Sequence, residues 1–143
     1  MHDAEMNYHN EALSVIRESD EDFEKCFLYD TYQILKDCWK ADTCAPRMRD
    51  DWNEGNITLG QCSITAFLLQ DLFGGEVYGV PLKDGNFHCF NVFDGIAYDI
   101  TSSQFKEELK YDLDYPQVRE VHFAKKEKYE RYLLLKERYK SMK

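Results

Sequence analysis

The sequence predicts an α+β fold in which helices pack on a small antiparallel β-sheet. A run of apolar residues at helical spacing starts at Cys62 and stops at Gly74-Gly75, which indicates a buried helix. Alternating apolar and polar residues over 76–101, separated by turn residues, indicate strands. A charged segment over 124–143 predicts a closing helix. Consecutive strands flanked by helices are typical of the α+β class.

Length and composition favour one soluble globular domain spanning residues 1–143. Hydrophobic residues make up 43% of the chain and charged residues 31%, which is an ordinary balance for such a domain. The net charge of −9 disfavours nucleic acid as a partner, because nucleic-acid-binding surfaces are basic. No apolar run approaches the roughly 18 residues of a membrane span, so we expect no membrane partner.

Five cysteines are present, and their spacing disfavours a metal site. They are Cys26, Cys38, Cys44, Cys62 and Cys89. No pair is separated by only two residues, so neither zinc nor another metal or cofactor is predicted. The acidic start of the chain lacks the apolar core of a signal peptide, and an odd number of cysteines then favours reduced thiols in the cytoplasm. The sequence leaves the oligomeric state open.

Residues 1–40 are predicted to form two helices. The first is amphipathic and covers 3–18. The second begins at Ser19, a favourable N-cap followed by acidic residues, and reaches Trp39 with apolar residues repeating every three or four positions.

Residues 41–60 are predicted to form a long loop, because they lack any period and contain Pro46 and several turn residues. A loop of this length in a compact domain is more often functional than idle. Arg47, Arg49 and Trp52 are therefore candidates to line a cleft beside Cys62. The alternative is that both arginines pair with surface acids.

Cys62 lies in the first turn of the predicted central helix. Free backbone N–H groups and the positive end of the helix dipole stabilise a thiolate at such a position. The alternative is that Cys62 is a small core residue, since free cysteine is commonly buried.

Three strands are predicted after this helix, over 76–82, 87–93 and 96–101, with a further short strand over 118–123. The Asp94-Gly95 pair is a strong signal for a two-residue hairpin turn between the second and third strands.

The hairpin turn sets a register that brings a histidine and an aspartate together. A two-residue loop pairs Phe93 with Ile96, and the alternation of side chains then places His88 and Asp99 on one face as diagonal neighbours. Cys89 points to the other face and is predicted to take no part in the chemistry.

Cys62, His88 and Asp99 together supply a nucleophile, a base and a residue that orients the base. This set predicts thiol-dependent acyl transfer or amide hydrolysis. A non-catalytic binding or regulatory domain is the alternative, in which His88 is a structural histidine and Asp99 an acid beside a turn.

Three sequence blocks resemble the active-site blocks of transglutaminase-like cysteine enzymes. They are Gly-Gln-Cys at 60–62, Asn-Phe-His-Cys-Phe at 86–90 and Asp-Ile-Thr-Ser-Ser-Gln at 99–104. The resemblance implies a papain-like core with Cys62 as nucleophile, His88 as base and Asp99 as orienting residue. It implies a peptidase, deamidase or transglutaminase activity on a peptide or amide-containing substrate. Because the blocks lie close together, the resemblance does not extend to the calcium dependence of the large animal transglutaminases.

Residues 40–130 are more specifically similar to small bacterial YunG-like proteins. This similarity rests on four blocks, Ala-Asp-Thr-Cys at 41–44, Gly-Gln-Cys at 60–62, Gln-Asp-Leu-Phe-Gly-Gly at 70–75 and Thr-Ser-Ser-Gln-Phe at 101–105.

Several residues are candidates to bind the substrate or its oxyanion. The transglutaminase resemblance suggests the indole N–H of Trp52, and the helix dipole favours the backbone N–H of Cys62. The full set of side-chain candidates is Gln61, Trp52, Asn91, Arg47 and Arg49.

Overall fold

A computed structural model describes residues 13–143 of the protein. The strands are β1 (Val15–Arg17), β2 (Glu76–Pro81), β3 (Phe87–Phe93) and β4 (Ile96–Asp99). The α-helices are α1 (Tyr29–Leu35), α2 (Cys62–Phe73), α3 (Arg119–Phe123) and α4 (Lys126–Met142). The fold is α+β, as the sequence predicts, with a four-stranded sheet and helices. None of the helices between residues 13 and 143 is long and apolar enough to span a bilayer.

The sheet is mixed rather than purely antiparallel. Its strand order is β1-β4-β3-β2, and β1 pairs with β4 in parallel. The predicted helix over 3–18 is therefore wrong at its C-terminal end, where Val15–Arg17 is a strand, and its first part lies outside the described residues. The correction has a physical reason, because the free edge of β4 gains hydrogen-bond partners from β1, including the bond from the Ala97 amide to the Ser14 carbonyl at 2.9 Å.

The hairpin between β3 and β4 has the predicted register. Phe93 pairs with Ile96 and Asn91 with Tyr98. Asp94 and Gly95 have φ values of 51° and 79°, the left-handed backbone that a tight hairpin turn requires. The register therefore follows from local turn chemistry.

The segment before α2 differs from the predicted helix and loop. The predicted second helix is reduced to a short 3-10 helix, Phe23–Lys25, followed by α1. The predicted loop is ordered by two further 3-10 helices, Ala41–Thr43 and Pro46–Asp51. Residues 41–60 thus form an ordered segment that leads into the start of α2.

Helix α2 packs on the face of the sheet that carries Cys89, Phe93 and Tyr98. The Asn91 side chain fixes the two elements together, because its amide donates to the Ala66 carbonyl at 2.8 Å. The helix ends at Gly74, whose φ of 80° is left-handed.

Helix α4 closes the same core. Tyr132, Leu135 and Tyr139 are buried against it, whereas Tyr129 and Leu133 are exposed. Residues three and four positions apart share one face of a helix, and the face that carries residues 132, 135 and 139 packs on the core. The predicted strand over 118–123 is instead α3.

Candidate active site

Cys62 lies at the N-terminal end of α2, beside the start of β3. Its Sγ lies 3.9 Å from the Phe87 carbonyl oxygen. The half-buried thiol borders a pocket of about 530 Å³, which is also lined by His88. Because Gln61 makes no side-chain cap, the first-turn N–H groups of α2 remain open at this end.

His88 and Asp99 form a fully buried pair. His88 Nε2 lies 2.6 Å from Asp99 Oδ2, and the two side chains are 0% and 1% exposed. The other ring nitrogen, Nδ1, is buried and has no hydrogen-bond partner within residues 13–143. Phe105 packs edge-on against the imidazole, with ring centroids 4.7 Å apart, and shields it from solvent. A buried polar atom without a partner is uncommon and needs a physical explanation.

Asp99 has two further sources of hydrogen bonds, which fix its carboxylate. The Tyr111 hydroxyl donates to Oδ2 at 2.6 Å. The backbone amide and the hydroxyl of Thr101 donate to Oδ1 at 3.1 and 3.2 Å. Burial alone raises the pKa of Asp99, but the His88 charge and these donors outweigh it and hold the pKa below its usual value.

The imidazole of His88 is stabilised in its charged form. Burial lowers its pKa, yet the Asp99 carboxylate and the nearby Cys62 thiol more than offset this, and the pKa of His88 is raised to about 10. The site therefore favours an imidazolium at neutral pH.

The pKa of the Cys62 thiol is well below its usual value. The neighbouring Cys89 thiol is the largest cause, acting as a hydrogen-bond donor, and the charge of His88 adds to it. The same contact raises the pKa of Cys89. Cys89 has the predicted orientation, but α2 packs on the sheet face that carries it, so Cys62 and Cys89 line one small cavity. That Cys89 takes no part in the chemistry stays a prediction.

The loop after Asp99 holds the start of α2 in place. Gln104 Oε1 accepts from the Gly60 amide at 3.3 Å, while its Nε2 donates to the Thr101 carbonyl at 2.9 Å. The hydroxyls of Thr58 and Ser103 lie 3.0 Å apart. Two sequence blocks separated by about forty residues thus meet beside Cys62.

Three of the predicted substrate or oxyanion candidates do not line the pocket. Gln61 is fully buried and donates to the Lys40 carbonyl at 3.0 Å. The indole N–H of Trp52 donates to the Ile57 carbonyl at 2.9 Å, within its own loop. Asn91 joins the sheet to α2 through Ala66. All three side-chain donors have structural partners.

The two arginines differ in position. Arg47 lines the pocket and lies 4.0 Å from Asp84. Arg49 instead donates to the carbonyls of Ala41 and Cys44, at 2.9 and 3.0 Å, and so fixes the loop. Arg49 Nη2 also lies 3.7 Å from Glu127 Oε2, so both arginines lie beside acids, as the alternative interpretation of the sequence expected. Arg47 is the one of the pair that lines the pocket.

Several residues of the site were not predicted from sequence. They are Cys89, Gln104, Phe105, Tyr111, His122 and Lys128. Gln104 belongs to a block that the sequence had already marked. No local sequence pattern marks Tyr111 or Lys128 as a site residue. Tyr111 comes from a segment without regular secondary structure and Lys128 from α4.

The family model described as "YunG protein" matches residues 28–143. The chain belongs to the YunG family. The "Uncharacterized protein YunG" of Bacillus subtilis (strain 168) is 34% identical over 90 residues, which cover 63% of this chain and 72% of that relative. No solved structure matches the chain significantly.

The YunG-family match includes Cys62, His88, Asp99 and Tyr111, while β1 lies before it. Within the described part of the chain, no group of three or more His, Cys, Asp or Glu side chains is arranged to hold a metal ion.

Proposed function

We propose that this YunG-family protein is a thiol-dependent enzyme that performs acyl transfer or amide hydrolysis on a peptide or amide-containing substrate. In this proposal Cys62 is the nucleophile, His88 the general base and acid, and Asp99 the residue that orients His88. The roles correspond to those of the transglutaminase-like cysteine enzymes that the sequence blocks resemble.

The observation that carries the proposal is the buried Nδ1 of His88, which has no partner within residues 13–143 although Nε2 is bound to Asp99. A structural histidine normally satisfies both ring nitrogens. Here one nitrogen is fixed by a carboxylate, and the other is left free beside a half-buried cysteine. This is the arrangement that a Cys–His proton transfer requires.

The proposed reaction proceeds through a thioester. The thiol proton of Cys62 passes to His88 Nδ1, and the thiolate adds to the carbonyl carbon of the substrate amide. The C–N bond then breaks as His88 returns the proton to the leaving amine. Water, or a second amine, finally attacks the thioester and restores the Cys62 thiol. The open N–H groups at the start of α2 are suited to stabilise the oxyanion formed in each addition.

The five cysteines are all unpaired, which supports a reducing, cytoplasmic location for such an enzyme.

The proposal is tested by the pH dependence of iodoacetamide alkylation at each cysteine, measured by peptide mass spectrometry. At about pH 6 we expect Cys62 to react at least tenfold faster than an ordinary thiol, because its thiolate persists below the usual cysteine pKa. His88→Ala is expected to abolish this excess. Cys26 is the internal control, because it is half-buried like Cys62.

The alternative function makes a different prediction. A non-catalytic binding domain needs no activated thiol, so Cys62 would then react no faster than Cys26, and His88→Ala would leave the alkylation rate of Cys62 unchanged. That result would overturn the enzyme proposal.

A further inference from the structure

The pocket beside Cys62 is lined by several cationic side chains, although the protein as a whole carries a net charge of −9. Besides His88, four cationic lysine and arginine residues line the pocket, and Glu127 is the acidic residue among its lining side chains. The cations are Arg47, Lys125, Lys128 and Arg131. A local excess of positive charge inside an acidic protein is a feature that can select anionic ligands.

Two of these cations already lie beside a carboxylate. Arg47 Nη2 lies 4.0 Å from Asp84 Oδ2. Arg131 Nε donates to the Glu127 carboxylate at 2.5 Å, and its guanidinium also donates to the Thr43 carbonyl at 3.1 Å. Glu127 therefore cannot balance the remaining cations as well. Within residues 13–143, no carboxylate lies within 4.0 Å of the ammonium group of Lys125 or Lys128.

Lys128 is held in place by a neutral partner. Its Nζ lies 2.9 Å from His122 Nδ1, and His122 Nε2 lies 2.8 Å from Gln117 Oε1. Because an ammonium can only donate and an amide oxygen can only accept, His122 must carry its proton on Nε2. The edge contact with Phe67, at 5.1 Å between ring centroids, fixes the imidazole plane.

The environment of His122 keeps it uncharged at neutral pH. Burial and then the charge of Lys128 lower the pKa of His122 to about 4. Burial likewise lowers the pKa of Lys128, while the Cys89 and Cys62 thiols oppose that shift. The ammonium is therefore incompletely solvated, close to Cys62 and Cys89 and without a carboxylate partner among the described residues, so an anionic group in the pocket would be stabilised by it.

We infer that the pocket selects acyl donors carrying a carboxylate near the reacting carbonyl, such as an acidic peptide, and that Lys128 is the specificity-determining residue. This inference rests on the proposed function, because it assigns the substrate class of the same thiol. Lys125 and Arg47 are exposed residues that line the same pocket, and they would attract the same substrate carboxylate.

The inference is tested by comparing two alkylating reagents of similar size, anionic iodoacetate and neutral iodoacetamide, at Cys62. The ratio of the two rate constants cancels the thiolate fraction and so reports on the charge of the pocket alone. We expect a higher ratio in the folded protein than for the same cysteine in the urea-unfolded chain. Added salt should lower the ratio, because screening weakens the attraction.

Lys128→Gln is expected to lower the ratio of the iodoacetate rate constant to the iodoacetamide rate constant about fivefold, because it removes one nearby positive charge at a partly solvated site. Lys128→Arg should retain the ratio. Lys126→Gln is the matched control, because Lys126 begins the same helix, is exposed and does not line the pocket. Lys125→Gln provides a second test if Lys128→Gln does not fold.

The outcomes separate this inference from the proposed function. A ratio equal to that of the unfolded chain, or one unchanged by Lys128→Gln and Lys125→Gln, would overturn the carboxylate preference even if Cys62 reacts rapidly with iodoacetamide. Slow iodoacetamide alkylation of Cys62 would instead reject the proposed function. The ratio can still be measured in that case, and a raised, Lys128-dependent value would then indicate an anion-binding pocket without an activated thiol.

Discussion

The Tyr111 hydroxyl donates a 2.6 Å hydrogen bond to Asp99, on the same carboxylate oxygen that contacts His88. Tyr111 is 6% exposed and comes from a segment without regular secondary structure. Its ring also lies beneath the Arg17 guanidinium, 5.2 Å from the ring centroid, so that β1 and this segment meet over the buried pair. Asp99 is thus held from three directions, by His88, Tyr111 and Thr101.

Tyr111→Phe removes one donor from this carboxylate while keeping the ring. We expect the free energy of unfolding to fall by about 1.5 kcal/mol, because the hydrogen bond is buried and its acceptor is charged. Urea denaturation followed by circular dichroism measures this change. Tyr115→Phe is the control, since Tyr115 is 43% exposed and should leave stability within about 0.5 kcal/mol. Equal effects for both variants would contradict the role given to Tyr111.

Asp99→Asn leaves a side chain of similar shape but removes its charge. The imidazolium of His88 would then be buried without a counterion, which costs about 3 kcal/mol or drives His88 to its neutral form. We expect lower stability at neutral pH and loss of the rapid alkylation of Cys62 near pH 6. Asp94→Asn removes a carboxylate from the exposed turn of the same hairpin and should change neither measurement. If Cys62 were still alkylated rapidly near pH 6 in Asp99→Asn, the Asp99 carboxylate would not be needed for the reactivity of the Cys62 thiol.

The charge state of His88 makes its contribution to stability depend on pH. Its pKa is about 10 in the folded protein, against the ordinary value of 6.5 expected for the unfolded chain. The folded state therefore binds the proton more tightly, and the resulting stabilisation is fully present below pH 6.5 and is lost as the pH rises through about 10.

His88→Gln removes this titration and provides the comparison. The difference in the free energy of unfolding between wild type and His88→Gln should be largest below pH 6.5 and should narrow as the pH approaches 10. Urea denaturation in the presence of a reductant, repeated across this range, measures it. A difference that is constant with pH would mean that His88 is not preferentially protonated in the folded state.

Gly60→Ala is expected to destabilise the start of α2. Gly60 has a φ of 70°, and an added Cβ would lie 2.5 Å from Cys44 Sγ and 2.9 Å from the Ala45 backbone nitrogen. The left-handed backbone and the steric contact together should cost at least about 2 kcal/mol. Because Gly60 is bound to Gln104, alkylation of Cys62 should also slow.

Gly85→Ala separates these two effects. Gly85 has a φ of 86°, but nothing lies within 4 Å of an added Cβ, so only the backbone cost of about 1 kcal/mol applies. Thermal or urea denaturation of the two variants gives the comparison. If both variants lost the same free energy of unfolding, the close packing at Gly60 would add nothing to the cost of the left-handed backbone.

The parts of the fold that sequence predicts are those set by neighbouring residues. The helix from Cys62 to Phe73 follows from apolar spacing and from the glycines that end it. The register of β3 and β4 follows from the Asp94-Gly95 turn. That register brings His88 and Asp99 together from residues only eleven positions apart, so their contact is within reach of local reasoning.

The parts that sequence does not predict depend on contacts between distant segments. Val15–Arg17 looks helical by its spacing, but it becomes a strand because the edge of β4 offers hydrogen bonds that a helix at this position would leave unpaired. Cys89 has the predicted orientation for its strand, yet it meets Cys62 because α2 packs on that same face.

The sequence by itself determined the central helix, the hairpin and its register, because turn chemistry and side-chain periodicity act over a few residues. Only the tertiary structure decided which donors hold Asp99, which thiol lies beside Cys62 and which cation reaches the pocket. Tyr111, Cys89 and Lys128 arrive there from three separate segments, and no local pattern specifies how such segments pack. The chemistry proposed for Cys62 therefore depends on a helix and a hairpin that the sequence predicts. It also depends on neighbouring side chains that only tertiary packing brings together.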